Sequence, residues 1–267
     1  MGADYHIHTH NCGHAQGDAE AYAQWALKLG FEEICFTDHM PNFYLPADMP
    51  YQHLRRPLRE MEAYLADVAR AQRKFPQLKI KVGVEVDYIP GKEREIARAL
   101  QQFPLDFVIG SVHFVGRWSL YDPKYYREFT AQRIYQDYFL VVREAASCGL
   151  FHTIAHLDVP KLYAPLPKGY LELARPVLEA IGKAGICLEV NCAGIRAGLG
   201  QPFPNYDLIA LAYEMGLPIT LGSDAHKPEQ VGNDFPAVIE RLQAIGYEEQ
   251  ICFNQGQPYG RKLSGSP

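Results

Sequence analysis

The chain has 267 residues, 48% apolar and 21% charged, which are the proportions of a globular protein with one large domain or two small ones. A formal net charge of −5 argues against nonspecific nucleic-acid binding, which needs a basic surface, and leaves room only for a local basic pocket. The sequence has no apolar run of bilayer-spanning length and no basic segment leading into an apolar one near its start, so neither a membrane partner nor a signal peptide is expected.

Residues 4–9 read as a first strand. His6 and His8 are two apart, so a strand aims both imidazoles at one face, which is half of a metal site. Cys12 and His14 follow in a loop. Residues 18–29 read as a helix capped by Asp18 and stopped by Gly30. A short buried strand at 33–37 leads to His39, and residues 52–74 read as one long amphipathic helix. The strand at 79–87 becomes apolar around Glu85, and a helix follows at 93–101. The strand at 107–112 ends at His113, with an aromatic-rich loop at 114–128 and a helix at 130–147. The strand at 152–155 ends at His156, and a helix at 169–183 carries Pro176, where a kink is expected. A strand at 186–191, a Gly-rich loop at 193–201 and a helix at 205–215 come next. The strand at 219–222 runs into Asp224 and His226, and then come a helix at 234–244 and a last short strand at 250–254. The segment from Gly260 onward reads as a frayed tail.

Strand followed by helix, about seven times over, implies a parallel sheet. The fold expected is α/β: a distorted (β/α)7 TIM-like barrel in a single domain, with a doubly wound open sheet as the structural alternative. In a barrel the C-terminal strand ends converge on one face. His6, His8, His14, His39, Glu85, His113, His156, Asp224 and His226 would then meet in one place. A buried Glu85 alone would be an uncompensated charge; beside a metal it is satisfied. One zinc takes about four ligands, so nine donors suit two or three ions. The donors are nitrogen and oxygen, which points to Zn, Mn or Fe. The six cysteines include no C-x-x-C pair and are expected to be reduced and mostly buried, as in the cytoplasm; Cys12 is not expected to be a ligand. His10, His53 and His152 fall outside the pattern and read as surface or supporting residues.

The set His6-x-His8, Thr37-Asp38-His39, Glu85, Gly110-Ser111-Val112-His113, His156-Leu157-Asp158 and Gly222-Ser223-Asp224-Ala225-His226 resembles the polymerase-and-histidinol-phosphatase (PHP) superfamily over nearly the whole chain. Cys12-Gly13-His14 and Asn191-Cys192-Ala193-Gly194-Ile195-Arg196 resemble its monofunctional histidinol-phosphate phosphatase branch. The resemblance implies one PHP-type domain over 1–267, ordered from about 3 to 256, with three divalent ions. His6, His8, Glu85 and Asp224 would hold one ion. Glu85, His113 and His156 would hold a second, with Glu85 bridging, and His14, His39 and His226 a third.

It further implies a cytoplasmic phosphomonoesterase of L-histidine biosynthesis. Such an enzyme cleaves L-histidinol phosphate to L-histidinol and phosphate by attack of a metal-activated hydroxide. Asp224 and His226 stand where they could assist the leaving alkoxide, and the sequence does not rank them. Arg196, Arg117 and Lys227 are the cations expected to receive the phosphate, with Arg196 also counted as catalytic. Asp158 is expected to support a neighbouring ligand, and Phe43, Tyr44, Phe114 and Tyr163 to line the organic end. The competing readings are another small phosphoester, such as a nucleotide or phosphotyrosine, or a non-catalytic metal-stabilised scaffold. A C–N hydrolase of a related barrel would want a lysine at a strand end, and none is there.

Overall fold

The computed structural model describes residues 2–264. Its first half runs β1 (Ala3–Ile7), α1 (Ala19–Lys28), β2 (Glu33–Phe36), α2 (Met61–Lys74), β3 (Lys79–Asp87), α3 (Glu93–Leu100) and β4 (Phe107–Ser111). A small hairpin, β5 (Phe114–Val115) and β6 (Trp118–Ser119), precedes α4 (Pro123–Glu128), α5 (Ala131–Ser147) and β7 (Thr153–Ile154). The second half runs α6 (Tyr170–Ala184), β8 (Cys187–Asn191), α7 (Tyr206–Glu214), β9 (Ile219–Gly222), α8 (Phe235–Ile245), β10 (Glu249–Asn254) and β11 (Gln257–Lys262). Side-chain caps start several helices: Asp18 accepts the Ala21 N–H, Thr130 that of Arg133 and Asn205 that of Leu208.

Seven strands pair in the order β1-β2-β3-β4-β7-β8-β9, all parallel. A parallel bridge between Ile7 and Ala225 joins the two edges and nearly closes the ring. It is reinforced by His8 N–H to the Ala225 carbonyl at 2.9 Å and Ala225 N–H to the His6 carbonyl at 3.3 Å. The (β/α)7 barrel expected from the sequence is therefore the fold observed, and the open sheet is excluded.

Inside the barrel the side chains form two layers. The lower one is apolar: Ala3, Tyr5, Cys35, Phe107, Ile109, Cys187 and Phe253 are all buried and in contact. The upper layer is polar and contains His6, His8, Glu85, Glu189 and Asn191. Strand β1 crosses between the layers with a register irregularity between Asp4 and Ile7. Tyr5 belongs to the interior cluster while Ile7 belongs to the outer core under the helices. This bulge resets the in–out alternation, as bulges do beside active sites.

Two sequence expectations need correction. The single helix over 52–74 is instead two 3-10 turns, Gln52–Leu54 and Leu58–Glu60, followed by α2. Pro57 is the physical reason: it lacks an N–H and disfavours helical geometry at Arg56 before it. The segment from Gly260, expected to be a frayed tail, is instead paired up to Lys262 as the end of β11. β11 pairs antiparallel with β10 through a two-residue turn, Gln255 and Gly256, both at positive φ. The hairpin is anchored under the barrel by the Tyr5 hydroxyl to the Phe253 carbonyl (3.1 Å), the Phe253 N–H to that hydroxyl (2.9 Å) and Gln250 to the Ala3 carbonyl (3.1 Å). The remainder of the expected tail, residues 265–267, lies outside the described residues.

Candidate metal centre

All nine sequence-selected donors meet at the C-terminal end of the barrel; seven of them line one cavity of about 650 Å³, and His6 and His8 stand behind it against Glu85. His6 and His8 lie at the end of β1 with their Nε2 atoms 2.9 Å apart. Glu85 Oε2 is 3.4 Å from each of them, and Asp224 Oδ1 is 3.7 Å from His6 and 3.3 Å from His8. The other oxygen of Glu85 faces a second group: His156 Nε2 at 3.1 Å and His113 Nε2 at 3.6 Å, with 3.2 Å between the two imidazole nitrogens. Glu85 thus presents one oxygen to each group. At the third position His14 Nε2 is 2.8 Å from His226 Nε2. His39 stands between groups. Its Nδ1 is 3.0 Å from Glu85 Oε2, and its ring lies 5.2 Å from that of His14 and 4.6 Å from that of His8.

These separations can be tested against what an ion requires. Two ligands on one tetrahedral zinc, with bonds of ~2.0–2.1 Å, stand ~3.3 Å apart. Three pairs of imidazole nitrogens meet edge to edge at 2.8–3.2 Å. For two of these pairs the tautomer is set from behind. His6 Nδ1 is held by Glu189 Oε1 and His113 Nδ1 by Asp87 Oδ1, both at 2.5 Å, so each Nε2 turns a lone pair inward. Lone pairs aimed at one another are repulsive unless a cation, a proton or a metal ion, lies between them; against burial, Glu189 holds the His6 pKa well above the imidazole range, so the site draws positive charge. The residues therefore fit divalent ions.

Electrostatics agree. Burial opposes ionisation of Glu85, yet His39 and His6 hold its pKa well below the carboxylate range. Asp224 is held low in the same way by His6 and His8. Burial and the neighbouring His226 keep His8 well below the imidazole range, and burial with His39 lowers His14 to about 4, so both are neutral donors. The Cys12 thiol lies 3.7 Å from His14 Nδ1, but burial and Asp38 push its pKa to about 11, which leaves it a thiol rather than a thiolate donor.

Three expected cations are placed otherwise. Arg196 does not line the cavity; its guanidinium donates to the Ser223 carbonyl (2.9 Å) and the Asp224 carbonyl (2.7 Å). It braces the strand end that carries Asp224, a residue held at φ +53. Arg117 sits exposed at the tip of the β5–β6 hairpin, and Lys227 is exposed as well; neither lines the cavity. Both are exposed to solvent, where a long cationic side chain keeps its charged head hydrated. The cation that does line it is Arg56, which donates to the carbonyls of Cys12 (2.8 Å) and Asn11 (2.5 Å) and to Glu60 (2.5 Å).

Asp158 supports no candidate ligand through its side chain. It accepts from Lys161 (3.0 Å), Tyr170 (3.0 Å) and the Asn205 N–H (2.9 Å), tying together the loops after β7 and β8. Of the expected aromatics only Phe114 lines the cavity; Tyr44 is buried against the Asp87 carbonyl, and Tyr163 is half exposed against Tyr126. Tyr121 lines it, 5.6 Å ring to ring from His113. Among the others outside the pattern, His53 lines the mouth, His10 is exposed beside Asp67, and His152 lies at the opposite end of the barrel. Sequence reasoning also missed Glu189 and Asp87. Each is an acid inside an apolar strand and carries the same signal that singled out Glu85.

The sequence profile of the PHP domain matches residues 4–193, and that of the PHP-associated region matches residues 203–239. A probable histidinol-phosphatase from Deinococcus radiodurans is 37% identical over 249 residues, covering 91% of this chain and 93% of its own. The histidinol-phosphatase of Bacillus subtilis is 31% identical over 265 residues, covering 89% and 98%. Among solved structures, the histidinol phosphate phosphatase of Lactococcus lactis, complexed with zinc, L-histidinol and phosphate, superposes with a TM-score of 0.81 at 25% identity and covers 97% of this chain and 98% of its own. With its barrel, its ring of histidines and a family match over most of its length, this chain belongs to the PHP-domain family.

Proposed function

We propose that the protein is a metal-dependent phosphomonoesterase that hydrolyses L-histidinol phosphate to L-histidinol and phosphate in L-histidine biosynthesis. The observation that carries this reading is the spacing of the donors around Glu85, in a chain whose relatives bear the histidinol-phosphatase name. His6, His8, Glu85 and Asp224 would hold one divalent ion, and Glu85, His113 and His156 a second. His14, His39 and His226 would hold a third, with His39 leaning toward Glu85. Zn, Mn or Fe held there would supply Lewis-acid polarisation of the phosphoryl group and of the attacking water.

The chain's own groups do the rest. Three of the five N–H groups of Arg56 are spent on Asn11, Cys12 and Glu60, which leaves two for a phosphoryl oxygen. Tyr121, a neutral phenol at pH 7, stands beside His113 as a donor to the ester oxygen. Asp224, held as a carboxylate in the cavity, would accept a hydrogen bond from water and orient it beside the leaving alkoxide, with His226 fixed next to it through the Asp224 carbonyl. Phe114, Met40 and Leu54 give the cavity an apolar wall suited to an imidazole ring.

The test is phosphate release from L-histidinol phosphate by Mn- or Zn-loaded protein, beside a panel of nucleotides and sugar phosphates. Preference for histidinol phosphate, abolished by a chelator, is expected; preference for another ester would overturn the substrate assignment. Arg56→Ala is expected to raise KM at least about tenfold, in line with the loss of a charge-assisted bidentate contact.

A further inference from the structure

Glu189, on β8, is 1% exposed and has no place in the reaction as described above. It touches both ligand groups that share Glu85. Its Oε1 holds His6 Nδ1 at 2.5 Å, and its Oε2 accepts the backbone N–H of His156 at 2.7 Å. Asn191 Nδ2 donates both to Oε2 (3.1 Å) and to Asp224 Oδ2 (3.2 Å), which extends the chain to a third ligand.

The contact to His156 matters because that imidazole has no other support from behind. Its Nδ1 is buried without a hydrogen-bond partner among the described residues, unlike Nδ1 of His6, His113 or His226. The ring is therefore aimed by its backbone, which sits at φ +27, a conformation that L side chains rarely adopt. Glu189 bonds the amide of that strained residue. Ordering the Glu189 carboxylate on one side thus orders a ligand on the other.

We propose that Glu189 is a positioning residue that couples the two groups, so that divalent-metal binding at His6–His8–Asp224 and at His113–His156 is cooperative beyond what the shared Glu85 provides. This rests on the metal-site reading given above. A metal at His6 Nε2 increases the acidity of Nδ1–H and tightens its bond to Oε1. The carboxylate is then pinned, and Oε2 is held ready for the His156 amide. A glutamine cannot do both. Its single carbonyl oxygen can accept from His6 or from the His156 N–H, and its NH2 group then faces a donor on the other side.

The experiment is titration of the metal-free, full-length protein with Co(II), followed by visible absorption and by calorimetry. In the wild type the first two equivalents are expected in one cooperative step with one spectrum. In Glu189→Gln they are expected in two steps, the second at least about tenfold weaker, with a changed spectrum for one of them. Far-UV circular dichroism and melting of the metal-free forms report on folding. An identical isotherm and spectrum in folded E189Q would overturn the coupling. Should E189Q fail to fold, Glu189→Asp decides: its carboxylate is one methylene too short to reach both His6 Nδ1 and the His156 amide, so a splitting in the same sense supports the coupling and an unchanged isotherm overturns it. A wild type that takes up no Co(II) would instead overturn the metal-site reading itself.

Discussion

Gly222 shows how tightly single atoms bear on the centre. A Cβ there would stand 2.5 Å from His6 Cβ and 2.6 Å from Glu189 Oε1. Gly222→Ala must therefore displace a candidate ligand and its support together. We expect about 1–3 kcal/mol of destabilisation, from denaturant melts, with weakened metal binding. Arg196 offers a second contrast at this scale. Because it braces the Ser223 and Asp224 carbonyls rather than lining the cavity, Arg196→Ala is expected to lower kcat and metal affinity with KM little changed. A predominant rise in KM would return it to the phosphate. Its adjacency to a strand end in the sequence could not reveal this, since the reach of a long side chain depends on what faces it in the fold. Arg56 was hidden for a related reason: it lies within a stretch that reads as one helix until Pro57 is weighed.

At the scale of elements, the seven barrel strands were legible because each is a short, largely apolar run and six of them, all but β8, end at, or no more than two residues before, a histidine or an acid, as in KIKVGVEVD. The two hairpins were not. β5–β6 is two residues a side, and β11 is polar enough (QPYGRK) to read as a tail. What identifies it is the tertiary surface it closes. His152 joins that surface: its Nδ1 accepts the Val108 N–H at 2.9 Å, and its ring stacks on Phe107 at 5.9 Å. Burial lowers its pKa below the usual imidazole value. The native state therefore keeps it neutral while the unfolded chain takes up a proton below pH ~6.5. Its contribution to stability is complete above that pH and is lost as pH falls toward the native value. Asparagine can accept the same bond without titrating. The stability difference between wild type and His152→Asn should shift against the wild type between pH 7.5 and pH 5, measured by urea unfolding of metal-free protein.

For the whole molecule, the polar upper layer is a liability that metal offsets. Glu85, Asp87, Glu189 and Asp224 converge in one barrel end, three of them nearly inaccessible to water. Ions that bind only the folded state stabilise it by mass action, about 2.7 kcal/mol for one site at a hundredfold excess over Kd. Chelation is thus expected to lower Tm by about 5–10 °C, read by calorimetry, with the far-UV spectrum retained below the transition. The grouping of nine donors was visible in the sequence because histidine is scarce in the chain and a barrel brings its strand ends together. The carboxylates behind them were not, because an acid in a strand declares its burial but not its partner.

The β10–β11 hairpin has a consequence for traffic through the enzyme. With Phe253, Tyr5 and Phe107 filling the barrel floor, the cavity is closed on the hairpin side, and its exposed lining residues are on the side of His53, Leu54 and Tyr121. Ester and water enter where alcohol and phosphate leave. Whichever product sits deeper cannot depart until the one nearer the doorway has gone. The buried end of the cavity is the candidate ligand cluster around Glu85, so a phosphate held there would leave after the alcohol.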